Sequence, residues 1–223
     1  MTRRALNYLH ASMVFGRRIR VLSRHIASHL TEGTVLDVGC GDGTLAQAVM
    51  AQKPTTKFQG IDVFLRPSVA IPAQAYDGQS IPFPDRSFDW VTICDVLHHT
   101  DDPGAVLAEC ARVARRGVVI KDHLREGWLA GPLLRVMDWV GNRGHGVRLP
   151  YNYLSRAEWD EVFKKTGLTP ARWNHSLGIY PAPFTFLFDR SLHFVATVAK
   201  QPQEQATGPD VTIPLRADTE RML

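Results

Sequence analysis

The stretch VLDVGCGDGTLA, Val35 to Ala46, constrains this chain more than any other. A short apolar run leads into glycines at 39, 41 and 43, and a helix-like segment follows. Strand, glycine-rich turn and helix in that order aim backbone N–H groups and the positive end of a helix at a ligand. Glycine is needed where the chain turns with positive φ, or where a Cβ would strike that ligand. The dinucleotide pattern is G-x-G-x-x-G. Here the third glycine comes one place early, and Thr44 takes the sixth position. Asp37 stands two residues before the glycines. A carboxylate there would repel a pyrophosphate and suits a ligand that presents a cationic amine.

The segments around this loop alternate in type. Val35–Val38 reads as a buried strand, Leu45–Gln52 as a helix and Phe58–Val63 as a second strand. A further strand is centred on Trp90–Cys94, and GVVIKDH, residues 117–123, gives another. Asp102-Pro103 is a helix start, with Asp as N-cap and Pro at the first helical position. Ser155 and Glu158 form an S-x-x-E capping box for a helix that Gly167 closes. The last apolar segment, LHFVATVAK, alternates like a strand. Strands separated by helices imply right-handed crossovers. The expected fold is therefore α/β, Rossmann-like and doubly wound, with a mainly parallel seven-stranded sheet and an antiparallel last strand.

Charge is distributed unevenly. Six arginines (Arg3, Arg4, Arg17, Arg18, Arg20, Arg24) precede the first acidic residue, Glu32. Without them, 20 basic residues face 22 acidic ones, so the body of the chain carries about −2. Residues 1–33 are read as a basic helical segment bent near Gly16, chiefly a solvated helix face. The segment could also touch an anionic surface, and it shares the Arg-rich, acid-poor character of a transit peptide. Residues 34–200 form the expected main domain, and 201–223 a mobile tail with little to pack. The three cysteines have no CxxC spacing, which suits a reducing compartment. No apolar run is long enough to span a bilayer, and Asn7, His10 and Gly16 interrupt the one candidate secretory signal. A cytoplasmic protein is expected.

At this point the chain resembles the class I S-adenosylmethionine-dependent methyltransferases, especially the methyltransferase type 11 group. The resemblance runs from about Thr34 to His123. It rests on VLDVGCGDG, GIDV, YDGQSIPFPDRSFDWV, DVLHHTDDP and ECARVARRGVVI, in the family's order and spacing. It implies S-adenosyl-L-methionine as cofactor, with Asp37 and the Gly39–Gly43 loop, Cys40 included, on the methionyl moiety. Asp62, with Val63 beside it, would take the ribose, Asp77 and the Gly78 N–H the adenine. Cys94 and Asp95 would border the methionyl end. The Arg115-Arg116-Gly117 turn departs from the family's usual Pro-Gly-Gly, which affects a connection and leaves the cofactor set intact.

The acceptor side is less constrained. An oxygen nucleophile generally needs a base, and strand C-terminal ends are where ligands bind in such sheets. His99, with His98, follows the fourth strand; His123, with Asp122, ends the fifth. The LHH run also has a plain reading as a helix-start packing element. Residues 124–155 exceed what the core fold requires and read as a lid, with Arg143, His145, Tyr151 and Tyr153 toward the acceptor. The catalytic candidates are therefore His123, His145 and His99. No carboxylate–histidine set has metal-ligand spacing along the chain. The expected partner is a small-molecule acceptor, lipid-like or a natural-product intermediate, methylated on O or N. A nucleic-acid methyltransferase and a non-catalytic cofactor-binding partner are the alternatives. Nucleic acid is disfavoured by the absence of an N/D-P-P-Y/F tetrad, and an NAD-dependent reductase by the glycine spacing.

Overall fold

The computed structural model describes residues 3–142, 150–182, 184–189 and 191–200. Seven strands make one sheet: β1 (Gly33–Val38), β2 (Thr56–Asp62), β3 (Ala73–Ala75), β4 (Phe88–Cys94), β5 (Ala114–His123), β6 (Leu168–Asn174) and β7 (His193–Lys200). Their spatial order is β3-β2-β1-β4-β5-β7-β6. The pairs β1–β2, β1–β4, β2–β3 and β4–β5 are parallel, whereas β7 runs antiparallel to both β5 and β6. Chain order reverses between β1 and β4, which opens a crevice over their C-terminal ends.

Helices cover both faces. On one side, α3 (Pro103–Val113) and α5 (Arg156–Thr166) place Leu107, Cys110, Trp159 and Phe163 against Leu36, Val91, Ile120 and Phe194. On the other, α1 (Arg3–His29) and α2 (Thr44–Gln52) place Leu22, Ile26, Ala46 and Val49 against Val35, Val119 and Val195. A third cluster forms where α4 (Ala130–Asn142) meets the segment before α5, through Ala130, Leu134, Tyr153 and Leu192. A short helix, α6 (Thr185–Phe188), precedes β7.

Local signals read from the sequence hold. Asp102 accepts a hydrogen bond from the Ala105 N–H at 3.0 Å, with Pro103 at the helix start. Both halves of the Ser155–Glu158 capping box are present, and Gly167 closes α5 at φ 67°.

Other features differ from expectation. The helix α1 runs through Gly16 without ending, so the 27 residues from Arg3 to His29 are one element. It is not a segment apart, because Leu22, Ile26 and Leu30 share a core with Val35 and Val195. β5 begins three residues early, at Ala114, which pairs with Phe88 across an irregularity that takes in the exposed Arg115 and Arg116. The alternation in β7 suggests one wetted face, yet His193 to Val198 are all buried. The strand is central, with Phe194 and Ala196 in one core and Val195 in the other. Residues 201–223 lie outside the described residues.

Candidate active site

The glycine loop leaves β1 over the switch point. Gly39 has φ 72°, and a Cβ there would come within 2.3 Å of Val96 Cγ2, so the loop can close against the turn after β4 only with glycine. Gly41 has φ 57° and nothing within 4 Å of where its Cβ would be. Its side faces open space, and its N–H donates to Asp62 Oδ2 at 2.8 Å. Asp62 Oδ1 accepts from the Phe64 N–H at 2.8 Å, so one carboxylate ties the loop to the end of β2. Asp77 accepts from the N–H groups of Gln79 and Ser80, each at 2.8 Å. Those backbone donors hold its carboxyl below the usual range. Gly78 approaches Val63 so closely that a Cβ would lie 2.9 Å from Val63 Cγ1.

Asp37 is 6% exposed and accepts from Thr92 Oγ1 at 2.6 Å. Burial pushes its carboxyl up to about 6, against the lowering effect of Thr92. Cys40, by contrast, turns its sulfur into the core, 2.5 Å from where a Gly60 Cβ would stand, so only its backbone faces the loop. Cys94 ends β4 with a thiol that burial raises well above its ordinary value.

Beyond Cys94 the crevice becomes strongly polar. Asp95, in the left-handed region at φ 56°, pairs with Lys121 on β5 and Arg18 on α1. Burial alone would raise the Asp95 carboxyl, but Lys121 and Arg18 hold it well below the carboxylate range. Lys121 has no exposed side-chain surface. The expected solvated arginine face is thus corrected: Arg18 enters the site, and Arg17 donates to the carbonyls of Ile179 and Gly178 at 3.1 Å each. The contacts span more than 70 residues of sequence, which no local pattern reveals. Arg20 and Arg24 are exposed as anticipated.

Next to Asp95 lie the histidines. His123 is buried at the end of β5, its Nδ1 3.7 Å from Asp95 Oδ1 and 3.3 Å from His98 Nδ1. Burial, with Lys121 nearby, lowers it to about 4, so it is a neutral imidazole. His98 Nδ1 bonds Asp122 Oδ1 at 2.6 Å, and Asp122 also accepts from the Leu97 and His123 N–H groups. Burial opposes protonation of His98, but Asp122 outweighs it and raises the imidazole to about 10. His99 is lowered by burial and by His98. On α4, Asp138 accepts from Tyr153 Oη at 2.8 Å.

Tyr153 therefore anchors α4 from within, 5% exposed, and does not face an acceptor. Arg143 and His145 fall outside the described residues. The carboxylate–histidine spacing absent along the chain is present in space: Asp95, His98, Asp122 and His123 converge, as do His98, His99 and Asp138. Sequence reasoning missed Arg18, Lys121, Asp138 and His193, because they come from α1, α4 and the interior positions of β5 and β7.

Such a crevice, with a glycine loop over β1 and β2 and a polar cluster over β4 and β5, is that of a doubly wound domain. A family model described as a methyltransferase domain matches residues 10–172. The Cupriavidus metallidurans ubiquinone/menaquinone biosynthesis C-methyltransferase UbiE is 31% identical over 142 residues, 55% of this chain and 58% of that one. The Hahella chejuensis ubiquinone biosynthesis O-methyltransferase is 39% identical over 95 residues, 37% of this chain and 39% of that one. Among solved structures, a chain from the complex of the Haloferax volcanii Trm112 methyltransferase activator with a methyltransferase superposes with TM-score 0.62 at 20% identity. It covers 86% of this chain and 94% of that one. The chain belongs to the class I methyltransferase-domain family, whose cofactor is S-adenosylmethionine. It spans about 58% of the length of the UbiE relatives it matches.

The residues present fit that cofactor. The space at Gly41 and the buried carboxylate of Asp37 suit a ligand with a cationic amine, and Asp62 sits at the strand end where a ribose is held.

Proposed function

We propose that this protein transfers a methyl group from S-adenosylmethionine to a small-molecule acceptor that carries an ionisable or anionic group. The observation that carries this reading is the cluster of Arg18, Lys121, Asp95, His98, Asp122 and His123, buried apart from Arg18 and Asp95, which follows the end of β4. S-adenosylmethionine supplies an electrophilic methyl on a sulfonium; the protein supplies alignment, exclusion of water and proton handling. Arg18 and Lys121 favour an acceptor with negative or developing negative charge. His99 is less buried than His98 and is the more accessible of the pair, while the neutral His123 stands at the end of β5. In α4, Leu134 is buried and Val136, Trp139 and Val140 are exposed, as suits a cover with an apolar underside. The two relatives are named for ubiquinone biosynthesis, which supports a small-molecule acceptor and leaves its identity open.

The test is incubation of metabolite extracts with the protein and methyl-labelled cofactor. A labelled small molecule is expected; label confined to RNA or protein would overturn the reading.

Asp37 adds a pH dependence. Its carboxyl must be ionised to meet the cofactor's ammonium, and burial holds its pKa at about 6. Affinity for S-adenosylhomocysteine should therefore be flat above that pH and fall by up to roughly tenfold per unit below it. Asp37→Asn should weaken binding and remove the slope. Calorimetry between about pH 5 and 8 checks this, and a flat wild-type profile contradicts the contact.

A further inference from the structure

Two neighbouring imidazoles of the chamber face one carboxylate at ion-pair rather than hydrogen-bond distance. His98 uses Nδ1 on Asp122, and among the described residues its buried Nε2 has no hydrogen-bond partner. That nitrogen lies 3.6 Å from Asp138 Oδ1, and His99 Nε2 lies 3.8 Å from the same oxygen. The two imidazoles are adjacent, with ring centroids 4.0 Å apart. Both N···O separations exceed a hydrogen bond. They approach the spacing of ligands that share one ion, since bonds of roughly 2.0–2.2 Å in tetrahedral array put ligand atoms about 3.3–3.6 Å apart.

A metal-bound histidine donates its other ring N–H to a carboxylate, and a metal-bound carboxylate is itself hydrogen-bonded. The surroundings supply this pattern for His98 and Asp138, whereas His99 Nδ1 is buried with no partner among the described residues. Asp122 fills the first role for His98, and Tyr153 Oη fills the second for Asp138. The other convergent set, Asp95, His98, Asp122 and His123, is a poorer candidate. Lys121 and Arg18 already neutralise Asp95, and their charges oppose a further cation there.

We propose that His98, His99 and Asp138 form a site for a divalent transition-metal ion of the zinc class, with an open position for an acceptor oxygen. Two imidazoles and one carboxylate favour such an ion over magnesium or calcium, which prefer oxygen ligands. Three protein ligands and one vacant position is the arrangement of a catalytic rather than a structural zinc site. Side-chain exposure is 2% for His98, 3% for Asp138 and 16% for His99, so the approach to the ion is over His99. The site itself stands on these distances; only its use by an acceptor rests on the function proposed above.

The experiment is titration of the chelator-treated full chain with Co2+, followed by ligand-field absorption, and with Zn2+ by calorimetry. One ion per chain is expected. His99→Ala and Asp138→Asn should each weaken binding at least about tenfold, with unfolding midpoints recorded to confirm that both variants fold. S-adenosylhomocysteine affinity, measured on the same samples, should stay near wild type, so a failure of the cofactor reading shows separately. Wild-type protein that takes up no stoichiometric ion, or folded variants that bind as tightly as wild type, would overturn the site.

Discussion

Replacing Asp95 with alanine is expected to cost about 3–5 kcal/mol of stability, the usual consequence of removing one partner from a buried ion pair. Among the described residues, Lys121 would remain with no exposed side-chain surface and no ion-paired carboxylate, its other polar contact being His193 Nδ1 at 3.5 Å. For a chain of this size that loss lowers the unfolding midpoint by roughly 6–20 °C. Lys121→Met should be far milder, because Asp95 keeps Arg18 and remains 20% exposed. Asp95→Ala combined with Lys121→Met should recover much of the loss, since no buried charge is then stranded. Denaturant unfolding of the three variants decides the matter. A single Asp95→Ala variant within about 1 kcal/mol of wild type would mean that Lys121 is neutral or reaches water when the carboxylate is gone.

The second large effect concerns cofactor affinity. Asp62→Ala should weaken S-adenosylhomocysteine binding by about 2–3 kcal/mol, the value of a charge-assisted and roughly bidentate contact, or on the order of 30–150-fold. The structure adds a reason beyond the ribose. Asp62 already holds the Gly41 and Phe64 N–H groups, so its removal also loosens the loop that frames the site. Asp62→Asn separates the two roles, because one amide oxygen still accepts a backbone N–H while the charge is lost. Affinity by calorimetry and unfolding midpoints should be read together. An Asp62→Ala variant that binds within about threefold of wild type would remove Asp62 from the cofactor site.

The parts of this protein legible in its sequence are those whose physics is local. A turn that needs glycine at 39, 41 and 43, a Pro103 behind an Asp102 cap, and a Ser155–Glu158 box all act within a few residues. β6 was missed because LTPARWN contains Pro170, and its register shifts between Pro170 and Arg172. β3 is only three residues long and shows no alternation. Asp37, Asp62 and Asp77 could be picked out because they fall at or near strand ends at family spacing. The acceptor chamber could not. His98 and Asp122 are 24 residues apart and Arg18 and Asp95 are 77 apart. The LHH run gives no sign that Asp138, from another helix, will meet it.

The place of β7 has a consequence for how the protein is made. β7 hydrogen-bonds to β5 on one side and β6 on the other, with His193 opposite His123 and Val195 opposite Lys121. A growing polypeptide therefore emerges from the ribosome with the edge of β5 bare, and β6 without its sheet neighbour, until residue 200 has also left the ribosome. During that interval Lys121 lacks the neighbouring strand that carries His193, and β5 offers an unpaired edge to any other strand. Nascent chains stalled before residue 193 should thus be the ones that chaperones capture. Emergence of β7 joins β5 to β6 and completes the sheet.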